Sequence, residues 1–251
     1  MKCFLINLDQ SKERLQSVEA CFVGNTPPIR VSATDGRVCA DLTSLGYSRT
    51  ANRKDYGRLL IRGEIGCYHS HLNAVQEFLR TTDDFCVVLE DDAEVAEDFF
   101  NFLESFLAAK KCLPDDFRVM NIGKSANSKY TLSTEVEFTN PQVKLMRTFK
   151  FPTTTTGLIY SRIGAEDLIR SGSVISKPFD HFLQDWLSRK PGGYCLSRPV
   201  VGNAGFESDI GSGNRRREQP LLEGLLYDFV VAKRDTVNDL HFLKRRFLTK
   251  K

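Results

Sequence analysis

The sequence predicts an α/β protein built around a parallel sheet, and three stretches carry that prediction. The chain opens β-α-β: residues 2–8 are an apolar run, a helical pattern follows, and residues 29–33 are a second short strand. Further on, Phe85-Cys86-Val87-Val88-Leu89 is an uninterrupted, β-branched apolar run, as expected of a strand buried on both faces. From residue 117 onward, strand-like runs again alternate with amphipathic helical ones.

The elements follow in order. Ser11 is a helix start with Arg14, Leu15, Val18 and Phe22 behind it at helical spacing, and Gly24-Asn25-Thr26-Pro27-Pro28 ends that helix. Asn7-Leu8-Asp9 and Thr34-Asp35-Gly36 then fall at one edge of the sheet. Asp there can accept hydrogen bonds from ribose or base, and Gly admits close backbone approach. Residues 40–62 are polar and irregular, with Arg49, Arg53, Lys54, Arg58 and Arg62. They read mostly as solvated surface, or as a loop bringing positive charge to phosphates.

Gly63 and Gly66 open a helix with Ile65, Leu72, Val75, Phe78 and Leu79 on one stripe. His69 and His71 are two apart, on opposite sides of that helix, and at least one reads as a hydrogen-bonded structural histidine. Residues 95–112 form a phenylalanine-rich helix facing the core, and residues 117–123 a strand. Residues 124–150 form a hairpin or loop, and residues 151–160 a strand feeding a helix capped by Ser161. Another helix opens at Pro178, and residues 199–201 are a last strand.

The acids that end the central run bear on function. Glu90, Asp91 and Asp92 sit at the strand's C-terminal end, where open α/β sheets receive ligands. Three adjacent carboxylates repel one another, and a divalent cation relieves that repulsion. Their oxygens are hard ligands suited to Mg2+ or Mn2+, and such an ion is best used to hold a diphosphate. The same residues also suit a solvated acidic turn with Asp as a helix cap.

With 251 residues, 41% hydrophobic and 27% charged, the chain is an ordinary globular one, and no apolar run reaches the roughly 20 residues of a membrane span. Residues 1–9 turn polar too early for a signal peptide. The seven Cys are scattered without a Cys-x-x-Cys pair, which argues against a zinc site and for a reducing, cytoplasmic setting. The net charge of +3 is unevenly placed. Residues 231–251 carry seven Lys and Arg interleaved with Leu240, Phe242, Leu243, Phe247 and Leu248. This pattern suits an anionic membrane surface, or an ordinary solvated helix end. It carries no nucleic-acid-binding motif.

The pieces and their order resemble glycosyltransferase family 25, the lipopolysaccharide-type sugar transferases. The matching stretches are Ile6-Asn7-Leu8-Asp9 with Arg14, Asp35-Gly36, Gly63-Glu64-Ile65-Gly66-Cys67 with Ser70-His71, and Val88-Leu89-Glu90-Asp91-Asp92. They continue with Thr156-Gly157-Leu158-Ile159-Tyr160-Ser161, Gly164-Ala165, Phe179-Asp180 and Ser208-Asp209-Ile210. The resemblance implies a GT-A fold over residues 1–214, with a nucleotide-sugar half (1–123) and an acceptor half (124–214), followed by a basic amphipathic tail (215–251).

It also implies an inverting, metal-dependent transfer of a hexose, galactose from UDP-galactose in the first instance. The acceptor would be a lipopolysaccharide or lipooligosaccharide, at the cytoplasmic side of the inner membrane. Asp92 is then the direct ligand of Mn2+ or Mg2+, with Glu90 or Asp91 on the metal or the ribose. Asn7, Leu8, Asp9, Arg14, Asp35 and Gly36 fall to the nucleotide. The family's acidic motif is usually Asp-any-Asp, and here it is Glu90-Asp91-Asp92.

An attacking sugar hydroxyl needs a general base across the site from the diphosphate. Asp180 is the first candidate, Asp209 the second and Glu64 the third. The rival readings are a metal-dependent phosphohydrolase or nuclease, which would normally use more His or Asp ligands than a chain with four His offers, and a catalytically silent member that only binds a partner.

Overall fold

The computed structural model describes residues 1–139, 141–206 and 221–248, with side chains for 227–246 of the last stretch. The chain opens as predicted, with β1 (Lys2–Asn7), α1 (Lys12–Ala20) and β2 (Ile29–Ser32), the two strands running parallel. β3 (Phe85–Glu90) joins β1 on its other side, also parallel. Along β3 the side chains sort by parity, which is how a strand covered on both faces must behave. Cys86 and Val88 enter one core cluster; Val87 and Leu89 enter the other.

The first cluster lies under α3 (Arg62–Leu79), α5 (Arg162–Ser171) and α6 (Phe179–Arg189). The second lies under α1 and α4 (Phe99–Ala108), whose Phe99, Phe102 and Phe106 are fully buried.

The sheet is mixed rather than all parallel. β8 (Gly157–Ser161) inserts antiparallel between β3 and β5 (Val119–Asn121). β9 (Gly193–Leu196) runs parallel to β5, and the hairpin β6 (Thr131–Thr139) and β7 (Gln142–Thr148) closes the far edge. The order of the eight strands is β2-β1-β3-β8-β5-β9-β7-β6. A separate two-stranded ribbon pairs β4 (Ala93–Val95) with β10 (Val201–Asn203).

That ribbon corrects two expectations. The helix expected from residue 95 starts only at Phe99, because Ala93–Val95 is spent on pairing with β10. The last strand is Val201–Asn203, two residues later than its apolar signal. β9 had no counterpart in the sequence reading: Gly193-Tyr194-Cys195-Leu196 is short and follows Pro191-Gly192. The strand expected over 151–160 forms only from Gly157.

Residues 40–62 are more ordered than their polarity suggested. They contain a 3-10 turn at Leu42–Leu45 and α2 (Arg49–Asp55), capped by Ser48, whose hydroxyl accepts from the Ala51 N–H at 3.2 Å. Arg58, expected at the surface, is buried.

α7 (Leu221–Leu248) is a long helix over the predicted tail. It is amphipathic, but two of its cations turn inward. Asn238 donates to Asp185 Oδ1 at 2.8 Å, and Arg234 lies 3.9 Å from the same oxygen. Arg245 donates to the Leu187 carbonyl at 2.7 Å, near the C-terminus of α6, where backbone carbonyls lack helical partners. Phe242 is buried against Tyr130 and Phe149. Among the described residues, no helix is long and apolar enough to cross a membrane.

Candidate functional site

The three acids at the end of β3 have three different environments. Glu90 accepts a hydrogen bond from the Thr155 hydroxyl and pairs with His71 Nε2 at 2.9 Å. Burial pushes the Glu90 carboxyl up, but the His71 contact and the Thr155 hydroxyl outweigh it and hold it below the usual carboxylate range.

Asp91 is buried and faces the opposite way. It accepts from Asn7 Nδ2 at 2.8 Å and Arg14 Nη1 at 3.2 Å. Asn7 also donates to the Ser11 carbonyl and accepts from Arg30 Nε at 3.0 Å. Three residues assigned to the nucleotide, Asn7, Arg14 and Asp91, therefore form a buttress that ties α1 to the ends of β1 and β3.

Asp92 differs from both. Asn203 donates to its Oδ2 at 2.7 Å, while its Oδ1 is buried with no hydrogen-bond partner. Burial, then the charges of Glu90 and Asp91, push its carboxyl up to about 6. An uncompensated carboxylate oxygen among like charges is the environment a hard cation fits.

These acids form one end of a cleft of about 680 Å³, its open margin included, within the range of small-molecule sites. Asn7, Leu8, Arg14, Asp35, Gly36, Glu90, Asp91 and Asp92 all line it, joined by Cys67, Ser70 and His71 from α3.

Backbone contact shapes the cleft. A Cβ on Gly36 would lie 1.9 Å from the Arg62 carbonyl oxygen, and one on Gly66 would lie 2.4 Å from the Thr34 carbonyl oxygen. The loop after β2 thus presses directly on the first turns of α3, which only glycine permits. Ser70 Oγ fastens the same contact by accepting from the Thr34 N–H at 2.8 Å. Arg37 grips Asp35, its hydrogen bonds holding that carboxyl down to about 2.

Asp9 is a correction. It does not line the cleft but lies in an outer depression, exposed, paired with Arg30 and accepting from Ser32 Oγ at 2.8 Å. The chain turns at residue 9, and Arg30 on the neighbouring edge strand draws the side chain outward.

A second cavity adjoins the first, and Cys67 and Glu90 line both. Asp180, in the first turn of α6, lines this second cavity with His181, Phe179, Thr155, Tyr56 and Arg58. Asp180 is not the helix cap; Pro178 holds that position. Burial raises its carboxyl, the neighbouring His181 opposes this, and the charges of Glu90 and Glu64 add to the rise.

Glu64 is there too, but its carboxylate is engaged. Arg58 Nη1 and Nη2 grip its two oxygens at 2.9 and 2.6 Å, and the Ile61 N–H adds a third bond at 3.0 Å. A carboxylate held on both oxygens by a buried guanidinium is not free to turn toward a substrate hydroxyl, which corrects its standing as a candidate base. Asp209 lies outside the described residues.

Sequence reasoning missed Thr155, Tyr56 and Arg58 as parts of the second cavity, and Asn203 as the partner of Asp92. Only Arg58 had a signal, its spacing of six from Glu64 across a helix start. His71 is the hydrogen-bonded histidine anticipated on α3. His69, two residues earlier, pairs instead with the Thr34 hydroxyl at 2.8 Å.

Carboxylate-lined cavities at the ends of sheet strands are where an α/β enzyme receives its substrates. The chain belongs to glycosyltransferase family 25 (LPS biosynthesis protein), whose model matches residues 1–183. That span takes in the acids of the first cavity and Asp180.

Among curated relatives, procollagen galactosyltransferase 1-B of Xenopus laevis is 26% identical over 196 residues, covering 75% of this chain and 31% of the relative. Procollagen galactosyltransferase 1 of Danio rerio is 24% identical over 194 residues, covering 75% and 32%. Procollagen galactosyltransferase 2 of Homo sapiens is 26% identical over 196 residues, covering 75% and 30%. The chain thus spans about a third of the length of these relatives.

Proposed function

We propose that the protein is a GT-A, inverting, metal-dependent glycosyltransferase that moves galactose from UDP-galactose onto a lipopolysaccharide or lipooligosaccharide acceptor. The observation that carries this reading is the pair of cavities meeting at Glu90, one with the orphaned oxygen of Asp92 and the other with Asp180. The names of the relatives support galactose, and the family's description supports the acceptor class.

In this reading the first cavity, lined by Asn7, Gly36 and Asp92, takes the nucleotide-sugar. Gly36 lets the backbone approach the nucleotide, and the Asn7–Asp91–Arg14 buttress fixes the strand end against which it lies. Mn2+ or Mg2+ would be held by Asp92 with Glu90 beside it, and would supply charge neutralisation to the departing diphosphate. His71 and Thr155 orient Glu90, so that its carboxylate needs no rearrangement when the donor enters.

The acceptor sugar occupies the second cavity, and Asp180 takes the proton from its attacking hydroxyl. Attack from the side opposite the diphosphate inverts the anomeric carbon. Burial raises Asp180 and makes it a stronger base than a solvated carboxylate.

Residues 215–251 are proposed to form the membrane-facing part. On α7, Phe229, Leu240 and Leu243 are exposed, and with Lys233 and Lys244 they fall on one side at helical spacing. An apolar stripe with flanking lysines suits an anionic lipid surface.

Incubation with Mn2+ and a panel of UDP-sugars tests the activity. Slow hydrolysis of one of them, UDP-galactose foremost, is expected. Cleavage of nucleic acid with no UDP release would overturn the reading, as would no turnover of any donor with any glycan acceptor.

A further inference from the structure

The wall between the two cavities carries a second set of donor atoms. Cys67 and His71 stand four apart on α3 and so share a face, and Glu90 reaches the same point from the end of β3. One sulfur, one ring nitrogen and one carboxylate oxygen from these three lie within 4.8 Å of one another. His71 is fully buried, stacked on Phe179 with ring centroids 4.3 Å apart, so its ring is fixed in place. Its Nδ1 is buried without a partner. Glu90 meets the ring at Nε2, so an ion taken there would leave the ring proton on Nδ1.

We propose that Cys67, His71 and Glu90 form a binding site for a thiophilic divalent cation of the Zn2+ class, and that a cation seated there blocks sugar transfer. The binding half stands on the cluster alone; the inhibitory half rests on the transferase reading.

The donor set is S, N and O, which selects a different ion from the oxygen-only position at Asp92. Three protein ligands leave a fourth tetrahedral position, and the adjoining cavities can supply it with water. On binding, the Zn–S bond forms as the thiol proton leaves to solvent, with no change of oxidation state. Glu90 is common to both cavities, so an ion holding it draws it out of its contacts with His71 and Thr155 and sits between donor and acceptor.

Co2+ titrated into the metal-free full chain tests the site. The expected result is a near-ultraviolet sulfur-to-cobalt band and the visible bands of four-coordinate cobalt, saturating at one equivalent, displaced by Zn2+ and lost in Cys67→Ser. No near-ultraviolet band, or one that persists in Cys67→Ser, overturns the proposal. If Cys67→Ser fails to fold, X-ray absorption of the Zn2+-loaded wild type decides. One sulfur at about 2.3 Å with lighter neighbours supports the site; no sulfur, or several, overturns it.

For the inhibitory half, one equivalent of Zn2+ is expected to suppress UDP release in excess Mn2+, and undiminished release overturns that half. If no donor is hydrolysed under any condition, the transferase reading has failed, and the cobalt spectrum still judges the site.

Discussion

Asp92 is the residue on which stability and function pull apart. Its carboxyl titrates near 6 in the fold against an ordinary 3.8, so the folded state binds the proton more tightly than the unfolded chain. The charged form is therefore a burden, absent below about pH 4 and complete above about pH 6. Asp92→Asn is expected to raise the metal-free melting temperature at about pH 8 and to leave it unchanged near pH 4. The gain is of the order of 1–2 kcal/mol, because partial exposure screens the charge. The same substitution should lower metal-dependent UDP release by more than about tenfold, over 1.4 kcal/mol in barrier. Mn2+ affinity of the wild type should fall as the pH drops below about 6, since protons then compete for the same oxygen; isothermal titration across pH checks this.

Asp180→Asn should reduce turnover while leaving UDP binding unaltered, and a collapse of UDP affinity would reassign Asp180 to the donor. Glu64→Gln belongs with stability, because it leaves Arg58 buried without its counter-charge. Loss of roughly 3 kcal/mol in a denaturant melt is expected.

At the scale of elements, the cleft depends on α3 meeting the loop after β2 with no side chain between them. Gly66→Ala forces a methyl to within 2.4 Å of a backbone oxygen, and backbone cannot swing aside as a side chain end can. A cost of about 1–3 kcal/mol is expected, together with weaker donor binding, because the wall that carries Cys67, Ser70 and His71 is pushed away. Gly63, at the start of the same helix, lines the cleft itself.

The sequence showed these glycines as able to approach a backbone or a ligand, but not which. The strands it showed best were those buried on both faces, since an unbroken apolar run has few other uses. It missed β4 and β9 and placed β10 two residues early, each of them four residues or fewer, because pairing across the chain and not local composition makes them strands. It failed likewise on residues 40–62, whose polar surface hides Arg58, an ion pair satisfied only once Glu64 is in place.

For the whole molecule, α7 is fixed to the body by its inner face and presents its outer face to solvent. Removing the helix would strip Phe242 from Tyr130 and Phe149 and uncover Asp185, so truncation confuses docking with folding. Replacing Phe229, Leu240 and Leu243 together by Ser avoids that. Co-sedimentation with anionic vesicles should drop severalfold while the melting temperature holds, and unchanged sedimentation would end the membrane reading.

Local patterns in the chain were enough for the α/β class, the β-α-β opening, the buried central strand and the position of the acids at its end. These follow from burial and periodicity, which are properties of neighbours in sequence. The sequence alone did not separate Glu90, Asp91 and Asp92 into a histidine-bound group, a structural clamp and an uncompensated carboxylate, nor join Asp180 to them across a shared wall. Tertiary structure decided both, because a carboxylate's role is set by the charges and hydrogen-bond donors folded against it, and here those come from α1, α3, α6 and β10.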